Sequence, residues 1–178
     1  MPDPDLDLLA GLARGEEAAL RALMDRRLAT VHRLAFRLLG DAHEAEDVAQ
    51  EAFLKLWHTA PTWKPGRARL STWLCRVAKN ACYDRLRKKR PDLPGETLDP
   101  VDERPGAHVQ LERSQRWDAL QFAMMGLPEN ERTALSLCYD QALPQREAAA
   151  VMEMSEKAYE SLLVRARRAL RLKVSEHV

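Results

Sequence analysis

The chain has 178 residues, 46% hydrophobic and 31% charged, with 28 Lys/Arg against 27 Asp/Glu. That length permits one ordinary domain or two small ones with thin cores, and the apolar and charged content excludes an unfolded chain. No apolar run approaches the ~20 residues that span a bilayer.

The start, MPDPDLDLL, is acidic and lacks the basic and apolar regions of a signal peptide, so a cytoplasmic protein without membrane insertion is expected. Cysteine is sparse: Cys75, Cys82 and Cys138, with no CxxC and no histidine at zinc-finger spacing. Cys75 and Cys82 lie seven apart on one face of a predicted helix and read as small buried hydrophobes.

Residues 5–15 predict a short helix closed by a glycine-containing break. Glu16 to Leu39 predicts a long helix, because Leu20, Leu23, Leu28, Val31, Leu34, Ala35 and Leu38 recur at spacings of three and four. Gly40 ends it, and Asp41 suits the N-cap of the next. That next helix should bury Ala45, Val48, Ala49, Ala52, Phe53 and Leu56 and show Glu44, Asp47, Gln50 and Glu51 to a partner. From Asp41 to Trp57 there are five acids against Lys55 alone.

Thr59 to Arg67 is a loop by its prolines and glycine. The helix that follows, from Leu70 or Ser71 to Arg90, sets Trp73, Leu74, Val77, Ala78, Ala81 and Leu86 inward. Arg76, Lys79, Asn80, Tyr83, Arg87 and Lys88-Lys89-Arg90 form its polar side. From Lys64 to Arg90 ten Lys/Arg face Asp84 alone. A nearly neutral chain has thus sorted its charges into an acidic and a basic block. That pattern suits a chain that meets a basic protein surface with one face and nucleic acid with another. Trp63 in the loop beside Asn80 and the cations suits single-stranded DNA, whose unstacked bases gain about 1–3 kcal/mol per stack on an aromatic ring. Trp73, on the apolar side, reads as core.

Pro91 to Glu112 holds four prolines, two glycines and six acids against Arg104, the composition of a self-repelling linker. It divides residues 1–90 from residues 113–178. In the second half Gln115 to Met125 predicts a helix ended by Gly126, and Pro128 opens another at a first-turn position. A short helix from Pro144 to Met152 leads through a turn to Ser155, which can cap the helix Glu156–Lys173. Short helix, tight turn and capped basic helix is a helix-turn-helix pattern. The fold class expected is all-α, two small helical domains on a flexible linker. Nothing resembles a nucleophile with its base, a metal cluster or a phosphate loop, so neither catalysis nor a cofactor is expected.

The string from Asp41 through Ala45-Glu46-Asp47-Val48-Ala49-Gln50-Glu51-Ala52-Phe53-Leu54 resembles region 2 of bacterial sigma factors. So does Trp73-Leu74-Cys75-Arg76-Val77-Ala78-Lys79-Asn80 with Asp84-Arg85-Leu86-Arg87. Leu127-Pro128-Glu129, Arg132 and Arg165-Ala166-Arg167-Arg168-Ala169-Leu170 resemble their region 4. Two regions and a short linker are similar to the extracytoplasmic-function group. The resemblance implies binding to core RNA polymerase, at the clamp of the largest subunit and the flap, with Glu44, Asp47, Gln50 and Glu51 at the clamp contact. It implies that Trp63, Lys64, Arg67, Arg69, Arg76, Lys79, Asn80, Arg87, Lys88, Lys89 and Arg90 read and open the −10 element of promoter DNA. It implies that Ser155, Glu156, Lys157, Glu160, Ser161, Arg165 and Arg168 meet the −35 element, and that an anti-sigma factor controls the chain.

One feature departs from many relatives: Glu160 and Leu162 stand where basic residues are common near the start of the recognition helix. Glu160 can accept from cytosine N4 but repels phosphate. Either an unusual −35 sequence is read, or Lys157 and the Arg165–Arg171 end carry more of the contact. Two other readings compete: a sigma-like mimic that titrates an anti-sigma factor, and a stand-alone helix-turn-helix repressor dimerising through residues 1–90.

Overall fold

The computed structural model describes residues 3–66, 68–89 and 111–175, with side chains placed from 117 in the last segment. Eight α-helices and no strand appear among the described residues: α1 (Leu6–Ala13), α2 (Glu17–Leu39), α3 (Ala42–Thr59), α4 (Leu70–Lys89), α5 (Leu111–Met125), α6 (Glu129–Leu135), α7 (Gln145–Val151) and α8 (Glu156–Ser175). A 3-10 turn, Ala60–Thr62, follows α3, and a π-helical turn, Ser136–Asp140, continues α6.

The first half is a bundle built on α2, which packs against α1, α3 and α4. Its apolar stripe, Leu23, Val31, Leu34, Ala35 and Leu38, meets Val48, Ala52, Phe53 and Leu56 of α3 and Leu70, Leu74, Ala78 and Cys82 of α4. Gly40 closes α2 at φ +71°, a conformation that costs a residue with Cβ about 1 kcal/mol or more. Asp41 caps α3 as its sequence suggests: its Oδ1 accepts from the Glu44 N–H at 2.9 Å.

The extreme N-terminus staples this bundle together. Asp5, fully buried, meets Arg27 at 2.6 Å and Arg26 at 3.3 Å on α2. Asp3 Oδ2 accepts from the Leu70 N–H at 2.6 Å, an orphan donor at the start of α4. The helix that carries the basic block is therefore capped by a residue 67 positions upstream.

In the second half α8 packs on α5, α6 and α7. Tyr159 of α8 is buried and donates its hydroxyl to the Ala134 carbonyl at 2.9 Å, fixing α8 against α6. Ser155 Oγ accepts from the Ala158 N–H at 3.2 Å, the cap expected at the start of α8. Several boundaries of this half differ from the sequence reading. The first helix of this half begins at Leu111, four residues before Gln115, inside the segment assigned to the linker. Pro128 is the N-cap of α6 rather than a residue of its first turn. The end of α6 loosens into a π turn, with the Gln141 N–H bonded to the Ser136 carbonyl at 3.0 Å and Ala142 at φ 48° beyond it. Of the expected linker 91–112, positions 91–110 lie outside the described residues.

The two halves also touch. α2 contacts α5 and α6, and α4 contacts α7. Arg37, buried in α2, bonds to Asp140 Oδ2 at 3.1 Å and to Gln121 Oε1 at 2.8 Å, and lies over the Trp117 ring at 4.2 Å. The apolar cores of the halves run together in one cluster.

Candidate polymerase and nucleic-acid interfaces

α3 turns its acidic side outward because its apolar residues are committed to α2 and α4. Asp47 and Gln50 are exposed. Glu44 and Glu51 are half-buried and tied to the basic end of α4: Glu44 to Lys89 at 2.6 Å and to Arg85 at 3.8 Å, Glu51 to Arg85 at 3.2 Å. Glu51 also bonds to Lys55 at 2.7 Å, and this bond, ahead of the Arg85 contact, holds its carboxyl below the usual value despite partial burial. The four expected polymerase contacts thus divide into two open to a partner and two already neutralised by cations of the same bundle.

The loop after α3 presents Lys64 to solvent, while Trp63 turns back edge-on against Trp73, ring centroids 5.7 Å apart. The Trp63 indole N–H is buried without an acceptor among the described residues. Arg67 and Arg90 lie outside the described residues. On α4, Arg76, Asn80, Arg87 and Lys88 are exposed, Arg87 pairing with Asp84 at 2.7 Å. Lys89 is exposed but engaged by Glu44.

Arg69 and Lys79 have a different setting. Arg69 is half-buried, 3.3 Å from Glu147 of α7. Lys79, expected on the polar side of α4, is only 6% exposed: its ammonium donates to the Val151 carbonyl at 2.9 Å and lies 3.9 Å from Glu153. Burial lowers its pKa. Two neighbours on α4 join them. Thr72 donates to Glu147 Oε2 at 2.7 Å, and Tyr83 shares a hydrogen bond with Thr133 of α6 at 2.9 Å. Neither Thr72, Glu147 nor Thr133 stood out in the sequence. Their partners are 50 or more residues away along the chain, so no local spacing marks them.

On α8 the expected residues gather. Ser155, Glu156, Lys157, Glu160, Ser161, Arg165 and Arg168 are all exposed, while Tyr159, Leu162, Leu163 and Ala166 form the buried side. Leu162 is therefore a core residue, which explains why it is not basic. Glu160 remains on the open face. Met152, Glu153 and Met154 make the turn before it, with Glu153 at φ 57°.

Among the described residues no group of three or more His, Cys, Asp or Glu is placed to hold a metal ion, and no helix is long and apolar enough to cross a membrane.

The profile of Sigma-70 region 2 matches residues 23–91, and that of Sigma-70 region 4 matches residues 117–170. The ECF RNA polymerase sigma factor SigW of Bacillus subtilis is 30% identical over 176 residues, covering 89% of this chain and 90% of the relative. SigL of Mycobacterium tuberculosis is 33% identical over 177 residues, covering 94% and 96%. Among solved structures, CnrH in complex with the cytosolic domain of CnrY superposes with a TM-score of 0.75 at 23% identity, over 98% of this chain and 99% of that one. The sigma factor RpoE bound to the anti-sigma factor NepR from Bartonella quintana gives 0.71 at 22% identity, over 87% and 96%. These likenesses fix the fold.

Proposed function

The chain belongs to the extracytoplasmic-function sigma factors of RNA polymerase, and from that premise we propose how its surfaces divide the work of initiation. Residues 1–90 and 113–178 act as two modules. α3 docks on the clamp of the largest polymerase subunit through Asp47 and Gln50, with Glu44 and Glu51 at the margin. The loop carrying Trp63 and Lys64, with the exposed flank of α4 at Arg76 and Asn80, receives the −10 strand. A base drawn out of the stack there offsets the few kcal/mol of stacking it loses. Arg69, Lys79 and the cations from Arg87 to Arg90, together with Arg67, hold phosphates of the same strand. α8 enters the major groove of the −35 element with Lys157, Glu160, Ser161, Arg165 and Arg168, its N-terminus carrying Ser155 and Glu156 toward the backbone.

The observation that carries this reading is the sorting of α8. Every residue assigned to the −35 element is exposed, while Tyr159, Leu162, Leu163 and Ala166 between them are buried, leaving Val164 as the large apolar side chain on the open face. A helix placed only to fill a hairpin has no need of the exposed cations Lys157, Arg165, Arg168 and Arg171. Opening of DNA is then driven by binding energy, without catalysis by this chain. It works in the cytoplasm, where the polymerase is. Control by an anti-sigma factor is supported by the fold likeness to two chains described in complexes, one with an anti-sigma factor and one with a cytosolic partner domain.

Run-off transcription tests the reading. Core polymerase with this chain should initiate from a promoter carrying both elements, and core alone should not. A product that appears only when the chain is left out would overturn it, as would tight duplex binding by the isolated chain that core enzyme does not change.

A further inference from the structure

Resting on that reading, we infer that the helix-turn-helix masks the strand-reading face of its own chain, with α7 standing in for a DNA backbone. A nucleic-acid strand offers hydrogen-bond acceptors and negative charge along its length. α7 and the turn after it offer the same to α4: the Glu147 carboxylate, the Val151 carbonyl and the Glu153 carboxylate. The first two positions are four residues apart, about 6 Å along a helix. They meet donors only: Arg69 at 3.3 Å, Thr72 at 2.7 Å, and Lys79 at 2.9 Å and 3.9 Å. Thr72 and Lys79 are thereby more than nine-tenths buried.

A strand cannot reach Lys79 while Val151 covers it. Arg69 cannot give its guanidinium fully to a phosphate while Glu147 holds it. Arg76 and Asn80, on the exposed flank of α4, remain open. Strand binding and this packing therefore compete for the same side chains. The competition is set at two points. One is the Glu147 contact. The other is the Arg37 clamp, where Asp140, Gln121 and Trp117 of the second half close on α2. A ligand that needs the open state binds more weakly by the fraction of chains that are open. Polymerase, by spreading the two modules along a promoter, removes that penalty.

The test uses the full chain without polymerase and a fluorescein-labelled twelve-nucleotide oligo-dT, since backbone contacts do not depend on base sequence. Glu147→Ala with Asp140→Ala should raise affinity at least about tenfold, the gain from a state populated at a tenth or less. The salt slope should steepen by about 0.7 for each phosphate newly reached. Glu147→Ala alone should give part of the gain, which keeps the test valid if the double variant folds poorly by circular dichroism. Glu17→Ala, at an exposed α2 carboxylate that pairs with Arg21, removes one charge elsewhere, as Glu147→Ala does, and should give no such gain. Adding Arg69→Ala to Glu147→Ala should cancel the increase. Affinity and salt slope equal to those of Glu17→Ala would overturn the mask. If run-off transcription succeeds and this gain is missing, the mask fails and the promoter reading stands; if run-off fails, the promoter reading fails whatever the oligonucleotide does.

Discussion

Cys75 and Cys82 sit in the core of the first half, and burial pushes both thiols up to about 12. Only the thiolate is nucleophilic, so at pH 8 both should resist a thiol reagent in the folded chain and react once guanidinium unfolds it. Half-buried Cys138 should be labelled first; rapid native labelling of three thiols would contradict this. Glu153 presents the opposite case, a residue in a conformation it does not favour. Its φ of 57° in the turn before α8 is a place for glycine, and its contact with Lys79 is long at 3.9 Å. Glu153→Gly should therefore stabilise the chain by about 0.5–1 kcal/mol, read as a rise in denaturant midpoint. At this scale the sequence is least informative. Helical periodicity puts Lys79 on the polar side of α4, and only the arrival of α7, 72 residues on, turns that side into an interior. Thr72 and Glu147 are hidden for the same reason.

Elements were far more legible. The 3–4 spacing of leucines marks α2, glycine marks its end, and Asp41 marks the start of α3, because each reports a local interaction of the backbone with its own side chains. Asp41→Ala should remove the bond to the Glu44 N–H and cost about 1 kcal/mol, a fall of about 2–4 °C in Tm for a chain of this size. The π turn at Ser136–Asp140 carries no such local mark. Leu162 illustrates how an element's face settles a question that spacing left open: it is core, so Glu160 alone among the two is available to the groove. If Glu160 reads cytosine, Glu160→Gln should reduce the preference for that base pair by about 1–3 kcal/mol at one −35 position and leave the other positions alone. Competition binding with the polymerase complex on a set of single-position variants would show it; a uniform change across all positions would instead point to a phosphate effect.

Across the whole molecule, the all-α class and the two family regions were readable from motifs that each lie within one helix or turn. The way the halves meet was not, because it depends on Arg37 with Asp140 and Gln121, which belong to no motif and lie 84 or more residues from Arg37. On the proposed division of surfaces partners act at the charge blocks, and the acidic face of α3 is the first of these. Asp47 is exposed, so its replacement should change stability by no more than about 0.5 kcal/mol, and any loss of binding reports docking rather than unfolding. The most direct measurement is the association of Asp47→Lys with core RNA polymerase, by co-purification and titration against the unaltered chain. Affinity should drop by at least about tenfold, the 1.4 kcal/mol expected when an attractive charge contact becomes repulsive. Undiminished affinity, with the variant fully helical, would contradict docking through α3 and with it the division of surfaces proposed for this sigma factor.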